Sequence, residues 1–269
     1  MTIKRHRNAK PLVAGQGRRR PARRRRHGSL LYLIEAIVCF AALGGIGYAV
    51  SDYVIASPHF HAKTVLIDGA NVLREETILA AAGITSADNV LLLDREGPQQ
   101  RVESLPYVKH CEVLRAYPDT IIIRVEERKP VATLLIHNRS FELDANAIIL
   151  RELPELSTHV GPLITNVPEL DVVEPGEKLG QPHLLSALLL WEFFSTSELG
   201  KALTVSEISM SEMNVLEMYC EETPFAIRFG ESNLSDQVTR LNLLWYNKEG
   251  ILGCKQYLDM RFGQSIVCK

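Results

Sequence analysis

Leu30–Val50 reads LLYLIEAIVCFAALGGIGYAV, an apolar stretch of 21 residues interrupted by one charge, Glu35. As a helix it is roughly 31 Å long at about 1.5 Å per residue, the thickness of a bilayer's hydrocarbon core. Glu35 lies about one turn from the basic end, within reach of the headgroups. Ala41, Gly45 and Ala49 share one face of that helix, where small residues allow close helix approach. Beyond it the apolar positions come in short runs. Ala62–Asp68 is β-rich and ends at Gly69, and Glu75–Ala82 is helical and stops at Gly83. Asp94 caps a second helix through about Leu105, with Pro98 in its first turn. Val108–Arg115 is a strand, followed by a Tyr117-Pro118-Asp119 turn and Thr120–Glu126. There Ile121, Ile123 and Val125 alternate with Thr120, Arg124 and Glu126, the pattern of a half-buried strand. The order β-α-α-β-β predicts an α+β unit with helices on one face of a small sheet.

Later runs predict a second mixed unit built on an antiparallel sheet. Pro182–Ser195 reads as an amphipathic helix, and Leu216–Cys220 with Phe225–Phe229 as a hairpin. Ser232 or Asn233 is placed to cap a helix running to Tyr246. Gln256–Phe262 alternates, Gly263 permits a turn, and Ser265-Ile266-Val267-Cys268 forms a short last strand. A terminal strand leaves one backbone edge open, while Ile266 and Val267 are also candidates to complete the core. Val267 is expected to lend its backbone donor to an incoming strand.

Charge gives the apolar stretch a direction. Eleven Lys or Arg and no acid occur in residues 1–29, leaving 19 bases against all 32 acids in the remainder. Within twenty residues after the stretch only Lys63 is basic. By the positive-inside rule, residues 1–29 are a cytoplasmic basic tail, 30–52 a transmembrane helix, and the remainder extracytoplasmic. A cleaved signal peptide is the rival, with Val54-Ile55-Ala56 at cleavage-type positions, but the apolar run exceeds the usual length for one. The tail sets topology, binds anionic lipid or binds nucleic acid; it lacks aromatic residues for stacking on bases, so specific nucleic-acid binding is the weakest of the three.

Catalytic patterns are missing: there is no G-x-S-x-G, P-loop or H-E-x-x-H. His59 and His61 have no acid or Cys at ligand spacing, and Glu126-Glu127 and Glu221-Glu222 read as solvated edges. No cofactor or metal is expected, and the chain reads as no enzyme. Cys111, Cys220, Cys254 and Cys268 permit two bridges in three pairings; Cys111 reads as a buried thiol, with one bridge among the last three.

Val65–Gly69, Leu91–Asp94, Leu105–Val108, Val113–Thr120 and Val125–Ala132 together resemble a POTRA domain, and more narrowly that of the bacterial FtsQ/DivIB cell-division family. Tyr117-Pro118-Asp119-Thr120 followed by Val125-Glu126-Glu127-Arg128-Lys129-Pro130-Val131-Ala132 is the most specific pair. Phe141–Ala147 resembles the aspartate turn opening that family's second domain, with Asn146 suited to the left-handed position where the family often has Gly. Tyr257–Phe262 resembles its terminal Tyr-x-Asp-x-Arg-aromatic strand. The resemblance implies a POTRA domain at 60–130 and an FtsQ-type second domain at 131–269. It also implies a non-enzymatic divisome scaffold in the inner membrane, concentrated at the septum, that links early septal-ring proteins to peptidoglycan synthesis. The implied partners are FtsB- and FtsL-like single-pass proteins, with FtsK-, FtsW- and FtsI-like proteins behind them. FtsB is implied to add a strand at Arg261, Phe262, Gly263, Gln264, Ser265, Ile266 and Val267. The alternatives are a POTRA-bearing envelope export or assembly factor, and an anchored envelope enzyme.

Overall fold

The computed structural model describes residues 27–155, 157–212, 214–247, 253–263 and 265–269. The basic tail through Arg26 and Gln264 therefore lie outside the described residues. Helix α1 (His27–Ala56) is a continuous 30-residue helix. Its Leu31–Ala56 portion is long and apolar enough to cross a membrane and is unburied by the protein's own atoms. It forms one compact unit, and Ser57–Lys269 forms another.

The second unit begins with β1 (Thr64–Asp68), α2 (Glu75–Ala82), α3 (Glu96–Glu103), β2 (Val108–Ala116) and β3 (Thr120–Glu127). The sheet order is β1-β3-β2, with β1 parallel and β2 antiparallel to β3. This is the expected β-α-α-β-β arrangement. Ile121, Ile123 and Val125 point into the core against Ile78 and Ala82 of α2 and Val102 of α3. Gly83 ends α2 in the left-handed conformation, its N–H bonding the Leu79 carbonyl. The second helix starts and stops about two residues inside the expected span. Asp94 still serves its start, its carboxylate accepting from the N–H groups of Glu96 and Gly97 at 3.1 and 3.2 Å.

Glu127 corrects the solvated-edge reading. Its carboxylate crosses to the loop after β1 and accepts from the N–H groups of Asn71, Val72 and Leu73 at 2.8–3.1 Å. Gly69 makes that close passage possible: it has φ +90°, and a Cβ there would lie 2.1 Å from the Val125 carbonyl oxygen. Glu126, by contrast, is exposed and pairs with Lys109.

The larger sheet consists of β4 (Pro130–Ile136), β5 (Arg139–Asp144), β6 (Ile149–Leu153), β7 (Leu163–Thr165), β8 (Val205–Glu212), β9 (Val215–Cys220), β10 (Ala226–Gly230), β11 (Tyr257–Asp259) and β12 (Val267–Cys268). Among the described residues the strand order is β12-β11-β10-β9-β8-β7-β4-β5-β6. Most neighbours are antiparallel, while β4–β7, β7–β8 and β10–β11 run parallel. Helices α4 (Pro182–Thr196) and α5 (Leu234–Asn247) lie in the β7–β8 and β10–β11 crossovers, and their Leu184, Leu190, Phe194, Val238 and Leu241 join Phe141, Ile208 and Phe229 in one core. α4 is less amphipathic than its sequence pattern implies: Leu185 and Leu189 remain exposed opposite the buried side. Neither Ser232 nor Asn233 contributes a side-chain cap bond; Asn233 instead takes φ +54° and its backbone carbonyl accepts from Asp236 and Gln237.

The Asp144 turn forms as expected, with Asp144 accepting from the N–H groups of Asn146 and Ile148. Its left-handed residue is Ala147 at φ +59°, not Asn146. Ala147 is fully buried, so packing outweighs the backbone cost of that conformation.

Among the described residues four carboxylates are buried: Glu142, Asp144, Glu217 and Asp259. Each has a cationic partner, as burial of charge demands. Two of them tie the small sheet to the large one. Tyr107, just before β2, donates its hydroxyl to Glu142, which also accepts from Arg151 at 2.8 and 3.0 Å. Arg128, just after β3, pairs with Asp144 at 3.0 Å, while its N–H bonds the Tyr107 carbonyl at 2.7 Å.

Candidate partner-binding edge

β12 is the last strand of the large sheet, and among the described residues nothing pairs with its outer side. The ladder defines which backbone groups point outward. Lys269 and Tyr257 exchange hydrogen bonds in both directions, at 3.1 and 3.3 Å. Met260 donates to the Arg228 carbonyl, and the Gln256 carbonyl accepts from Ala226, so the even-numbered residues of β11 face β10. Asp259 lies opposite Val267 and Leu258 opposite Cys268. In an antiparallel pair such inward and outward directions alternate. The Val267 and Lys269 backbones therefore bond β11, and those of Ile266 and Cys268 face outward. This corrects the expectation that Val267 offers its donor to an incoming strand.

The strand is shorter than expected, covering Val267–Cys268 and not Ser265–Cys268. Ile266 and Val267 are each 40% exposed, so neither completes the core, and Phe262 is 48% exposed. Ser265 and Gly263 are exposed beside them. The edge thus presents an aromatic ring, two β-branched side chains and free backbone groups together.

Three interactions hold this rim. Arg261 forks onto the buried Asp259, with Nε at 3.0 and 3.1 Å and Nη2 at 2.6 Å, and its own N–H bonds the same carboxylate at 3.0 Å. Burial alone would raise the Asp259 pKa; hydrogen bonds from Arg261 and the charges of Arg261 and Arg228 outweigh it and hold the carboxyl below its ordinary range. Arg240 of α5 donates to the carbonyls of Met260 at 2.7 Å, Phe262 at 2.6 Å and Gly263 at 3.0 Å. A disulfide joins Cys254 to Cys268. Beneath, Arg228 pairs with Glu217 at 2.7 Å and stacks 4.1 Å above the Tyr257 ring.

Of the seven residues expected at the partner site, Arg261, Phe262, Gly263, Ser265, Ile266 and Val267 lie along this rim; Gln264 falls outside the described residues. Arg240 went unnoticed in the sequence. Its one signal is position, three residues after Gln237, which is itself buried and bonded to Gly230. Cys111 and Cys220 are buried thiols, pushed up to about 11 and about 12, first by burial and then by Glu103 and Glu222 respectively. Among the described residues no group of three or more His, Cys, Asp or Glu is arranged to hold a metal ion.

Residues 60–128 match the family model described as POTRA domain, FtsQ-type. The cell division protein FtsQ of Syntrophotalea carbinolica is 24% identical over 239 residues, spanning 89% of this chain and 81% of the relative. FtsQ of Caulobacter vibrioides is 34% identical over 115 residues, 41% of this chain and 38% of that one. The cell division protein DivIB of Clostridium acetobutylicum is 21% identical over 209 residues, 76% of this chain and 81% of that one. With the motif residues of both sheets in place, residues 60–128 match an FtsQ-type POTRA domain, and most of the chain is similar to cell-division proteins of the FtsQ and DivIB kind.

Proposed function

We propose that this chain is a division scaffold anchored once in the inner membrane, with its basic tail in the cytoplasm and residues from about 52 onward outside. It concentrates at the septum and converts no substrate. Its C-terminal rim accepts a strand from an FtsB-like single-pass protein and, through it, FtsL. It thereby connects early septal-ring components to the FtsW- and FtsI-like peptidoglycan synthases, while the POTRA domain at 60–130 contacts an FtsK-like protein. The observation that carries the reading is the unpaired outer side of β12, with the backbones of Ile266 and Cys268 facing outward beside exposed Phe262. Strand addition uses such groups for affinity and neighbouring pockets for specificity.

Two proline variants test it. Ile266→Pro removes an outward donor and leaves the β11–β12 ladder intact, so partner capture is lost while thermal stability stays near that of the parent. Val267→Pro removes an inward donor, so it damages the rim and the binding together. Phe262→Ala lowers affinity about fivefold to 150-fold, the roughly 1–3 kcal/mol of a contact aromatic. Undiminished capture of the FtsB-like protein by folded Ile266→Pro would exclude strand addition here.

A further inference from the structure

β12 owes little to side-chain burial. Its two strand residues, Val267 and Cys268, are exposed, as are Ile266 before it and Lys269 after it. Strands of two residues lie below the usual minimum of about three. The ladder to β11 is correspondingly brief, and most of its other hydrogen bonds converge on the single Lys269 carbonyl, which accepts from Lys255, Gln256 and Tyr257 at 2.8, 2.6 and 3.3 Å. Cys254 is different: it is buried and belongs to the main core. The Cys254–Cys268 bond, across a sequence separation of 14, therefore fastens an exposed strand to a fixed point just before β11.

We propose that the Cys254–Cys268 disulfide is a redox-sensitive latch on the partner-binding edge: oxidised, it keeps β12 in the sheet; reduced, it lets β12 leave and the edge is withdrawn. The proposal rests on the reading of that edge as the partner site. The compartment outside the bacterial membrane is one in which such bonds form and persist. Opening requires a dithiol reductant, a small molecule or an exported thiol-disulfide exchange protein. One of its thiolates attacks Sγ of Cys268, the exposed partner, forming a mixed disulfide and expelling the Cys254 thiolate. Its second thiol then displaces the Cys268 thiolate, and the reductant departs as a disulfide. The two thiolates each take a proton, so two electrons and two protons have moved to this chain. Cys111 and Cys220 do not intrude, because both are buried and their thiolates are disfavoured.

Apparent affinity scales with the fraction of molecules in the competent state, so a strand formed about one-tenth of the time binds about tenfold more weakly. The test uses the full chain in detergent micelles, oxidised or treated with dithiothreitol. Amide exchange is read by mass spectrometry over residues 255–269, and capture of the FtsB-like protein is measured on the same samples. The expected result is faster exchange of Tyr257 and Lys269 and at least tenfold weaker capture after reduction. A Cys254→Ala/Cys268→Ala variant should match the reduced parent with or without dithiothreitol. Unchanged exchange and capture after complete reduction, confirmed by thiol alkylation, overturns the latch and leaves the partner reading standing. Faster exchange with no capture by either redox form supports the latch and overturns the partner reading. Failure of the oxidised chain to contain the bond overturns the latch directly.

Discussion

Tyr107→Phe deletes one oxygen atom at the seam between the two sheets. In the parent that hydroxyl is a donor to Glu142, a carboxylate only 1% exposed. The surroundings hold Tyr107 firmly as a donor: burial first, then the Glu142 bond and charge, push its ionisation well above the usual phenol range. A hydrogen bond to a charged group contributes roughly 1.5–3 kcal/mol. Arg151 still gives Glu142 two bonds in the variant, at 2.8 and 3.0 Å. The loss therefore falls in the lower part of that range, about 1.5–2 kcal/mol. For a unit the size of Ser57–Lys269, each kcal/mol moves Tm by about 2–4 °C, so the expected fall is about 3–8 °C. Glu142→Ala costs more, roughly 3 kcal/mol, since it leaves the tyrosine hydroxyl buried and unpaired. It does not reach the upper end for a broken buried pair, because the Arg151 side chain is 54% exposed and returns to water. Scanning calorimetry of the full chain in detergent, with the double variant closing a cycle, separates the pair from its parts. A coupling energy of about 1 kcal/mol or more is expected for groups in contact. A Tm change within about 1 °C for Tyr107→Phe would mean that Glu142 is solvated in solution, and the seam argument would fail.

Three further outcomes are expected. Arg240→Ala releases the Met260, Phe262 and Gly263 carbonyls; amide exchange at Val267 and Lys269 should accelerate severalfold, and unchanged rates would show that the rim stands without the clamp. Glu127→Ala leaves the N–H groups of Asn71, Val72 and Leu73 without their carboxylate, lowering stability by about 1–2 kcal/mol in urea titration, the loop being exposed enough for water to replace part of the loss. Asp259 has a folded-state pKa below its unfolded one, so its contribution is intact above about pH 4 and vanishes as pH falls through the depressed value. Exchange along β11 and β12 should therefore rise steeply in acid beyond the intrinsic rate change, and Asp259→Asn should abolish that pH dependence.

How much of the molecule was legible in the sequence depends on the range of the interaction. Where structure follows from neighbours a few residues apart, the pattern was sufficient for the spans of several elements, though not for the left-handed residue of the Asp144 turn. Glu75–Ala82 with its Gly83 stop appears with those very bounds, and the Ile121, Ile123 and Val125 alternation predicts the buried face of β3. The length of an apolar stretch specifies a helix long and apolar enough to cross a membrane, because bilayer thickness and helix rise are constants. The resemblance carried by the Tyr117–Ala132 motif points to the POTRA unit that the family model matches at 60–128. What lay beyond reach concerns partners brought together from afar. No local signal pairs Tyr107 with Glu142, directs Glu127 across to residues 71–73, or sends Arg240 to three carbonyls beyond residue 259. Nor does spacing choose Cys254 over Cys220 as the mate of Cys268. The last two choices follow from strand order at the rim, since only once β11 lies parallel to β10 and β12 returns along its free side do Arg240 and its carbonyls, and Cys254 and Cys268, meet. The same order decides that Ile266 and Cys268, and not Val267, turn their backbones outward: alternation along a strand is written in the chain, but its phase is set by the neighbour it pairs with.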